Sequence, residues 1–268
     1  MRLFDAAHAA LMSCEPSAKV AAVRRLQDAF RRTEVVRADA PPPVDIPVPG
    51  RPARPELVAP RQLAQRGLGT AEGRAALIHA VAHIEFNAIN LALDAVYRFR
   101  DLPDDYYADW LRVAVDEARH FELLQARLAD LGHAYGDFPA HDGLWEAACR
   151  TAHDGLTRMA LVPRVLEARG LDVTPGMITR LREVGDDATV AVLEVILAEE
   201  VAHVAIGTRW FHHLCARSGR DPEPTFLALL RQHEVAIRPP FNRLARAQAG
   251  FSDAEQAGVE ALVPARDR

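Results

Sequence analysis

Asp116-Glu117-Ala118-Arg119-His120 and Glu199-Glu200-Val201-Ala202-His203 repeat one pattern, an acid followed by Glu-x-x-His. No other histidine in the chain stands three residues after a glutamate. On a helix, positions i and i+3 share a face, so each pair can grip one ion together. A single Glu-x-x-His is a short charged motif that arises by chance on helical surfaces. The company these two keep is more informative. Trp110, Val113, Ala114, Phe121, Leu124 and Leu128 fall on the stripe of Glu117 and His120. Leu193, Ile196, Leu197, Val204, Gly207 and Phe211 fall on that of Glu200 and His203. Carboxylates on apolar faces must be neutralised, because an unpaired buried charge costs several kcal/mol or holds its proton.

Two further helical stretches each offer one more such acid. Glu85 lies on the stripe Ile78, Val81, Ala82, Ala88, Ile89 and Ala92, and Glu167 follows Leu156, Met159, Ala160 and Pro163. Glu85 and Glu117 are 32 residues apart, with their midpoint at Asp101 in the turn Asp101-Leu102-Pro103-Asp104. Two antiparallel helices folding there would put both carboxylates at one depth, about 24 Å from the turn at 1.5 Å per residue. Glu167 and Glu200 are 33 apart, almost the same offset. The chain therefore carries a coarse duplication: a glutamate, then about 32 residues, then acid-Glu-x-x-His. The second half is less regular, since Gly170 and Thr174-Pro175 should end the third helix just after Glu167; Glu146 and Glu194 are its substitutes.

Four carboxylates and two neutral imidazoles sum to −4, which two divalent cations cancel, and a neutral cluster can sit in an apolar core. Oxygen and imidazole donors suit iron, or manganese with iron, better than thiolate-seeking metals. Asp116 and Glu199, beside the ligands, are placed to accept the distal N–H of each histidine.

One glutamate from each of two helices plus a Glu-x-x-His from each of two others is the dinuclear pattern of ferritin-like bundles. DEARH (116–120) also resembles the Asp-Glu-x-Arg-His motif of bacterial multicomponent monooxygenases. The stretch from about residue 71 to 241 resembles the uncharacterised DUF455 group of ferritin-like proteins. The segments that carry this resemblance are AHIEFNAINLALD (82–94), DEARHFELL (116–124), LGHAYGDFPAHDGLWE (131–146), LVPRVLEARGLDVTP (161–175) and EEVAHVAIGTRWF (199–211). That group is distantly similar to diiron tRNA hydroxylases. The resemblance implies an all-α fold, a ferritin-like four-helix bundle with a dinuclear metal core. It also implies that Glu117 and Glu200 bridge the two ions while Glu85 and Glu167 are terminal.

Outside the bundle, Ser17–Arg32 reads as a short amphipathic helix with Val20, Val23, Leu26 and Phe30 on one face and Lys19 on a basic, solvated one. Residues 41–60 are proline-rich and should be extended. The predicted division is a helix and Pro-rich arm over 1–60 and the bundle with a C-terminal extension over 61–268. Further helices are predicted over about 71–100, 104–131, 143–168, 175–183, 186–217 and 222–234.

A net charge of −5 and pI near 6.1 give no basic field, so nucleic acid is not an expected partner. Three dispersed cysteines form no zinc or disulfide framework, and a cytoplasmic location is expected. No apolar run spans a bilayer without a charge, and no membrane is expected. Cys149 and Cys215 read as small core residues and His83 as structural. The leading functional expectation is an O2-activating non-haem diiron hydroxylase or oxidase with two iron ions. Its partners would be a small-molecule substrate, O2 and an external electron donor, and it would be a monomer or dimer. A ferroxidase of the ferritin kind and a tRNA-modifying hydroxylase are the alternatives.

Overall fold

The computed structural model describes residues 1–37, 41–64 and 66–264. Eleven α-helices are present among them: α1 (Leu3–Leu11), α2 (Pro16–Arg31), α3 (Ala71–Arg98), α4 (Asp104–Asp130), α5 (Gly143–Arg150), α6 (Gly155–Leu161), α7 (Ala168–Glu183), α8 (Asp187–Arg217), α9 (Pro222–Gln232), α10 (Arg243–Gln248) and α11 (Asp253–Ala261). A π-helical segment, Val162–Glu167, joins α6 to α7. The described residues contain no strand, only isolated bridges such as Leu57 with Ala140. The chain is all-helical, and its contacts divide it into two compact units, Met1–Cys149 and Arg150–Arg268.

The first unit is built on the hairpin of α3 and α4, with α1 packed on α3 and α2 on α4. Thr70 caps α3, its side chain accepting from Gly73 N. From Glu85 to Arg98 every side chain of α3 is buried, as befits a core helix covered on all faces. This helix is long and apolar enough to cross a membrane by length and composition, and 72% of its most apolar window is buried inside the protein. At the turn Asp101 takes φ 62°, a left-handed conformation in which the short polar side chain is tolerated. Residues 41–59 form no helix, as predicted, though Pro60 opens a short 3-10 helix, Pro60–Gln62, and the stretch is tied down. The Ile46 carbonyl accepts from Trp145 Nε1 at 3.0 Å, Val58 N donates to the Ala140 carbonyl at 2.8 Å, and Ala140 N donates to the Glu56 carbonyl at 2.9 Å.

The second unit is a hairpin of α6, the π segment and α7 against α8, with α9 to α11 packed around it. Here several expectations fail. The predicted third helix, 143–168, breaks at residues 151–154, where Asp154 caps α6 by accepting from Leu156 N and Thr157 N. It then does not stop at Gly170. The α7 helix runs through both Gly170 and Pro175 to Glu183. Pro175 cannot donate to the Leu171 carbonyl one turn earlier, but Asn242 Nδ2 does so at 3.2 Å. The C-terminal segment thus supplies the hydrogen bond that proline removes.

Three smaller corrections follow. The α1 helix was not anticipated, although Leu3, Phe4, Ala7, Ala10 and Leu11 have helical spacing and are buried. Lys19, expected on a solvated face, is completely buried. Cys149 is exposed, whereas Cys215 is the core residue anticipated.

Candidate metal centre

Glu85 lies thirteen residues before the end of α3, and Glu117 thirteen after the start of α4 (98 − 85 and 117 − 104). The turn between them is symmetric about Asp101, so the hairpin sets both carboxylates at the same depth, as their spacing predicts. His120, one turn beyond Glu117, completes the group. Its Nδ1 is 3.2 Å from Glu85 Oε2 and 3.3 Å from Glu117 Oε2. Glu85 keeps 4% of its surface exposed, and Glu117 and His120 none.

The electrostatics of this trio favour a cation. Burial pushes the His120 imidazole down, but hydrogen bonds and charge from Glu117 and Glu85 outweigh it and hold it up at about 11. The two acids therefore attract positive charge strongly enough to retain a buried imidazolium. A metal ion would replace that proton and cancel both carboxylates. Glu85, Glu117 and His120 form a buried group that could hold a metal ion, each offering a ligand atom within 4.8 Å of the others. Two oxygen donors and an imidazole fit iron or manganese. Asp116, one turn before His120, pairs with Arg112 at 3.7 Å and is partly exposed.

In the second unit, α8 presents the other Glu-x-x-His. His203 is 1% exposed and Glu200 9%, with Nδ1 of His203 3.5 Å from Glu200 Oε1. Glu199 precedes them, half-buried on the same helix. Glu167 is half-buried and ends the π segment, where Ala168 N–H reaches back five residues to the Pro163 carbonyl. It stands sixteen residues before the end of α7, and Glu200 thirteen after the start of α8 (183 − 167 and 200 − 187). The predicted depth match is thus offset by three residues, about 4.5 Å along the axis. The substitutes, Glu146 and Glu194, are both exposed, and Glu194 pairs with Arg182.

Pro163 packs against α8. Its ring occupies the space left by Gly207 on α8, where an added Cβ would fall 2.2 Å from Pro163 Cβ. Arg164, the next residue, is completely buried, and its Nη2 donates to Glu255 Oε1 at 2.7 Å.

Sequence reasoning passed over a polar cluster on α3. His79 is completely buried, its Nε2 accepts from Gly136 N at 2.9 Å, and its ring stacks on Tyr135. His83 has the structural setting expected of it: Tyr135 Oη donates to Nδ1 at 2.9 Å, and Nε2 donates to the His141 carbonyl at 3.1 Å. Burial pushes both imidazoles down to about 4. A cavity of about 150 Å³ opens beside His83, walled by Ala76, Ala80, Ile84, Phe138 and Leu144. The apolar stripe masked His79, which occupies a position that reads as core.

A buried Glu/His group on an all-helical scaffold defines the class: a helical protein with a candidate metal site. The chain belongs to the family described as "Protein of unknown function (DUF455)", whose model matches residues 12–257. It is 49% identical over 212 residues to an uncharacterized protein of Haemophilus influenzae, covering 76% of this chain and 74% of that one. No solved structure matches the chain.

Proposed function

We propose that Glu85, Glu117, His120, Glu167, Glu200 and His203 hold two iron ions in a ferritin-like four-helix bundle, and that the protein is a cytoplasmic O2-activating oxidoreductase acting on a small organic substrate. The observation that carries this reading is the convergence of Glu85, Glu117 and His120 in the core of the first hairpin. The buried Glu200–His203 pair, on the same i, i+3 spacing, supports it from the second.

Bound iron would supply the redox chemistry that reduces O2, with electrons from an external donor. The chain's own contributions are simpler. Glu117 with His120, and Glu200 with His203, each chelate from one helical face, so both donors are oriented by backbone rather than by flexible loops. Phe86 and Phe121, with ring centroids 5.3 Å apart, give the first hairpin apolar walls. Such walls exclude water and strengthen every charge interaction inside. Asp116 and Glu199 would accept hydrogen bonds from the histidine ring N–H groups and fix their orientation.

The deciding experiment is metal analysis of protein purified from iron-supplemented culture, with an optical spectrum before and after O2. About two irons per chain and an O2-dependent spectral change support the proposal. Protein that binds no transition metal overturns it.

A further inference from the structure

Glu167 sits in a stretch of backbone that the second unit grips from two sides. On one side is α8. Gly207, one turn after His203, meets the ring of Pro163 so closely that any side chain there would collide with it. The neighbouring atoms are ring carbons, which cannot swing aside as the tip of a flexible side chain could. On the other side is the C-terminal segment. Arg164 is 0% exposed and sits over the rings of Phe226, Phe251 and Phe211, at 4.1, 4.4 and 4.7 Å. It donates to Glu255, itself 2% exposed and fixed by the capping box of α11. Nε and Nη1 of Arg164 have no hydrogen-bond partner among the described residues, so the ring faces and Glu255 account for its stabilisation.

The grip continues beyond Glu167. Arg169 donates to the carbonyls of Arg238, Pro239 and Pro240. Asp172 accepts from Arg246 through both oxygens, at 2.9 and 2.7 Å. The π segment and the start of α7 are thus held by directional contacts on both sides of Glu167, those of Arg164 and Asp172 being buried. A buried ion pair is seldom the most stable filling for a core, because desolvation offsets most of its attraction. Hydrophobic side chains would hold α11 on the hairpin as well. What the ion pair adds is direction, and the segment it directs is a turn of widened, π-helical geometry, which carries a proposed ligand.

We propose that Arg164 and Glu255 are positioning residues for the Glu167 carboxylate. The C-terminal segment, through this pair, holds the π-helical turn in the register that presents Glu167 to metal. The inference rests on the metal reading of Glu167 above, and it assigns the residues after 238 a role in building that site.

The test uses full-length protein and Co2+ as the probe, read by equilibrium dialysis and by visible absorption, which responds to coordination geometry. Wild type is compared with Glu167→Ala, with the double variant Arg164→Met/Glu255→Met, and with Arg164→Lys. The double variant removes both charges and keeps apolar bulk, so its melting temperature should stay near wild type. Arg164→Lys keeps the charge and loses the planar fork, and it decides the matter if the double variant fails to fold. Glu167→Ala should weaken one Co2+ site of the two. The double variant and Arg164→Lys should weaken that same site by about 10- to 100-fold, with altered absorption intensity and unchanged melting temperature. Wild-type Co2+ affinity and spectrum in a folded positioning variant, beside a weakened Glu167→Ala, would overturn this inference and leave the metal reading standing. An unchanged Glu167→Ala would overturn both, since the pair would then have no ligand to position.

Discussion

His120 Nδ1 lies 3.2 Å from Glu85 Oε2, although the two residues are thirty-five positions apart in the chain. The contact exists because α3 and α4 fold about Asp101 with equal arms, so that a glutamate and a Glu-x-x-His meet in the core. His120→Ala should therefore remove about one metal ion per chain, and His203→Ala about one as well. Elemental analysis of each purified variant checks this. Full stoichiometry in both would sink the assignment of these histidines as ligands.

Metal should also stabilise the fold. Any ion that binds the native state and not the unfolded chain raises stability by about 2.7 kcal/mol at a hundredfold excess over its dissociation constant. For a chain of this length that corresponds to roughly 5–10 °C in Tm. Calorimetry of chelated and reloaded protein at pH 7.5 should show it. Equal melting temperatures, with metal loss confirmed, would mean that the buried acids bind no ion.

How much of this could be read beforehand differs between the two hairpins. The first was legible because its determinants are local: an unbroken apolar α3, a turn at Asp101-Leu102-Pro103, and two acids equidistant from it. The second was not, because its course depends on partners far along the chain. Gly170 and Pro175 look like stops, and α7 passes through them because Asn242 takes up the Leu171 carbonyl. The break at Thr151–Asp154 needed only the cap signal of Asp154 before Gly155, which a continuous apolar pattern obscured. Pro163 marks a disturbed helix, but nothing local specifies a π turn at Val162–Glu167. Its geometry reflects Pro163 lying against Gly207, which no spacing rule reveals.

That contact makes its own prediction. Gly207→Ala places a methyl 2.2 Å from Pro163 Cβ, and the backbone must move to admit it. Overpacking of this kind costs about 1–3 kcal/mol. Chemical denaturation should show a lower midpoint with an unchanged m-value. A variant as stable as wild type would show that α8 and the π segment are not in tight contact.

Lys19 gives the clearest pH dependence. Its ammonium is fully buried, donating to the Ala10 and Leu11 carbonyls, and burial lowers its pKa from 10.5 to about 7. Between those two values the unfolded chain binds more protons than the folded one, so stability contributed at this site rises with pH from about 7 to 10.5. Below pH 7 the cost of burying the charge is fully present. Lys19→Met removes it, and both carbonyls keep backbone donors, Ser13 N and Gly50 N. The variant should be more stable than wild type by a few kcal/mol at pH 6, with the gain shrinking toward pH 10. A gain that grows with pH would reverse the sign of the argument.

Oxygenase and iron-storage readings separate by counting. A catalytic centre saturates at about two irons per chain and needs an external reductant to turn over, whereas a storage protein oxidises ferrous iron repeatedly and accumulates it inside a large closed shell. The chain has features that a shell subunit would have to accommodate. In the first unit Val44 N donates to Tyr97 Oη on α3 at 2.9 Å and the Ile46 carbonyl accepts from Trp145 on α5, and in the second Arg169 binds the carbonyls of Arg238, Pro239 and Pro240. These segments occupy helix surface that shell contacts would otherwise use. The protein should therefore elute near one or two times its 29.5 kDa chain mass and take up about two irons. Size-exclusion chromatography with titrated ferrous iron measures both quantities. A particle of many subunits that absorbs iron far beyond that ratio would replace the oxygenase reading with the storage one.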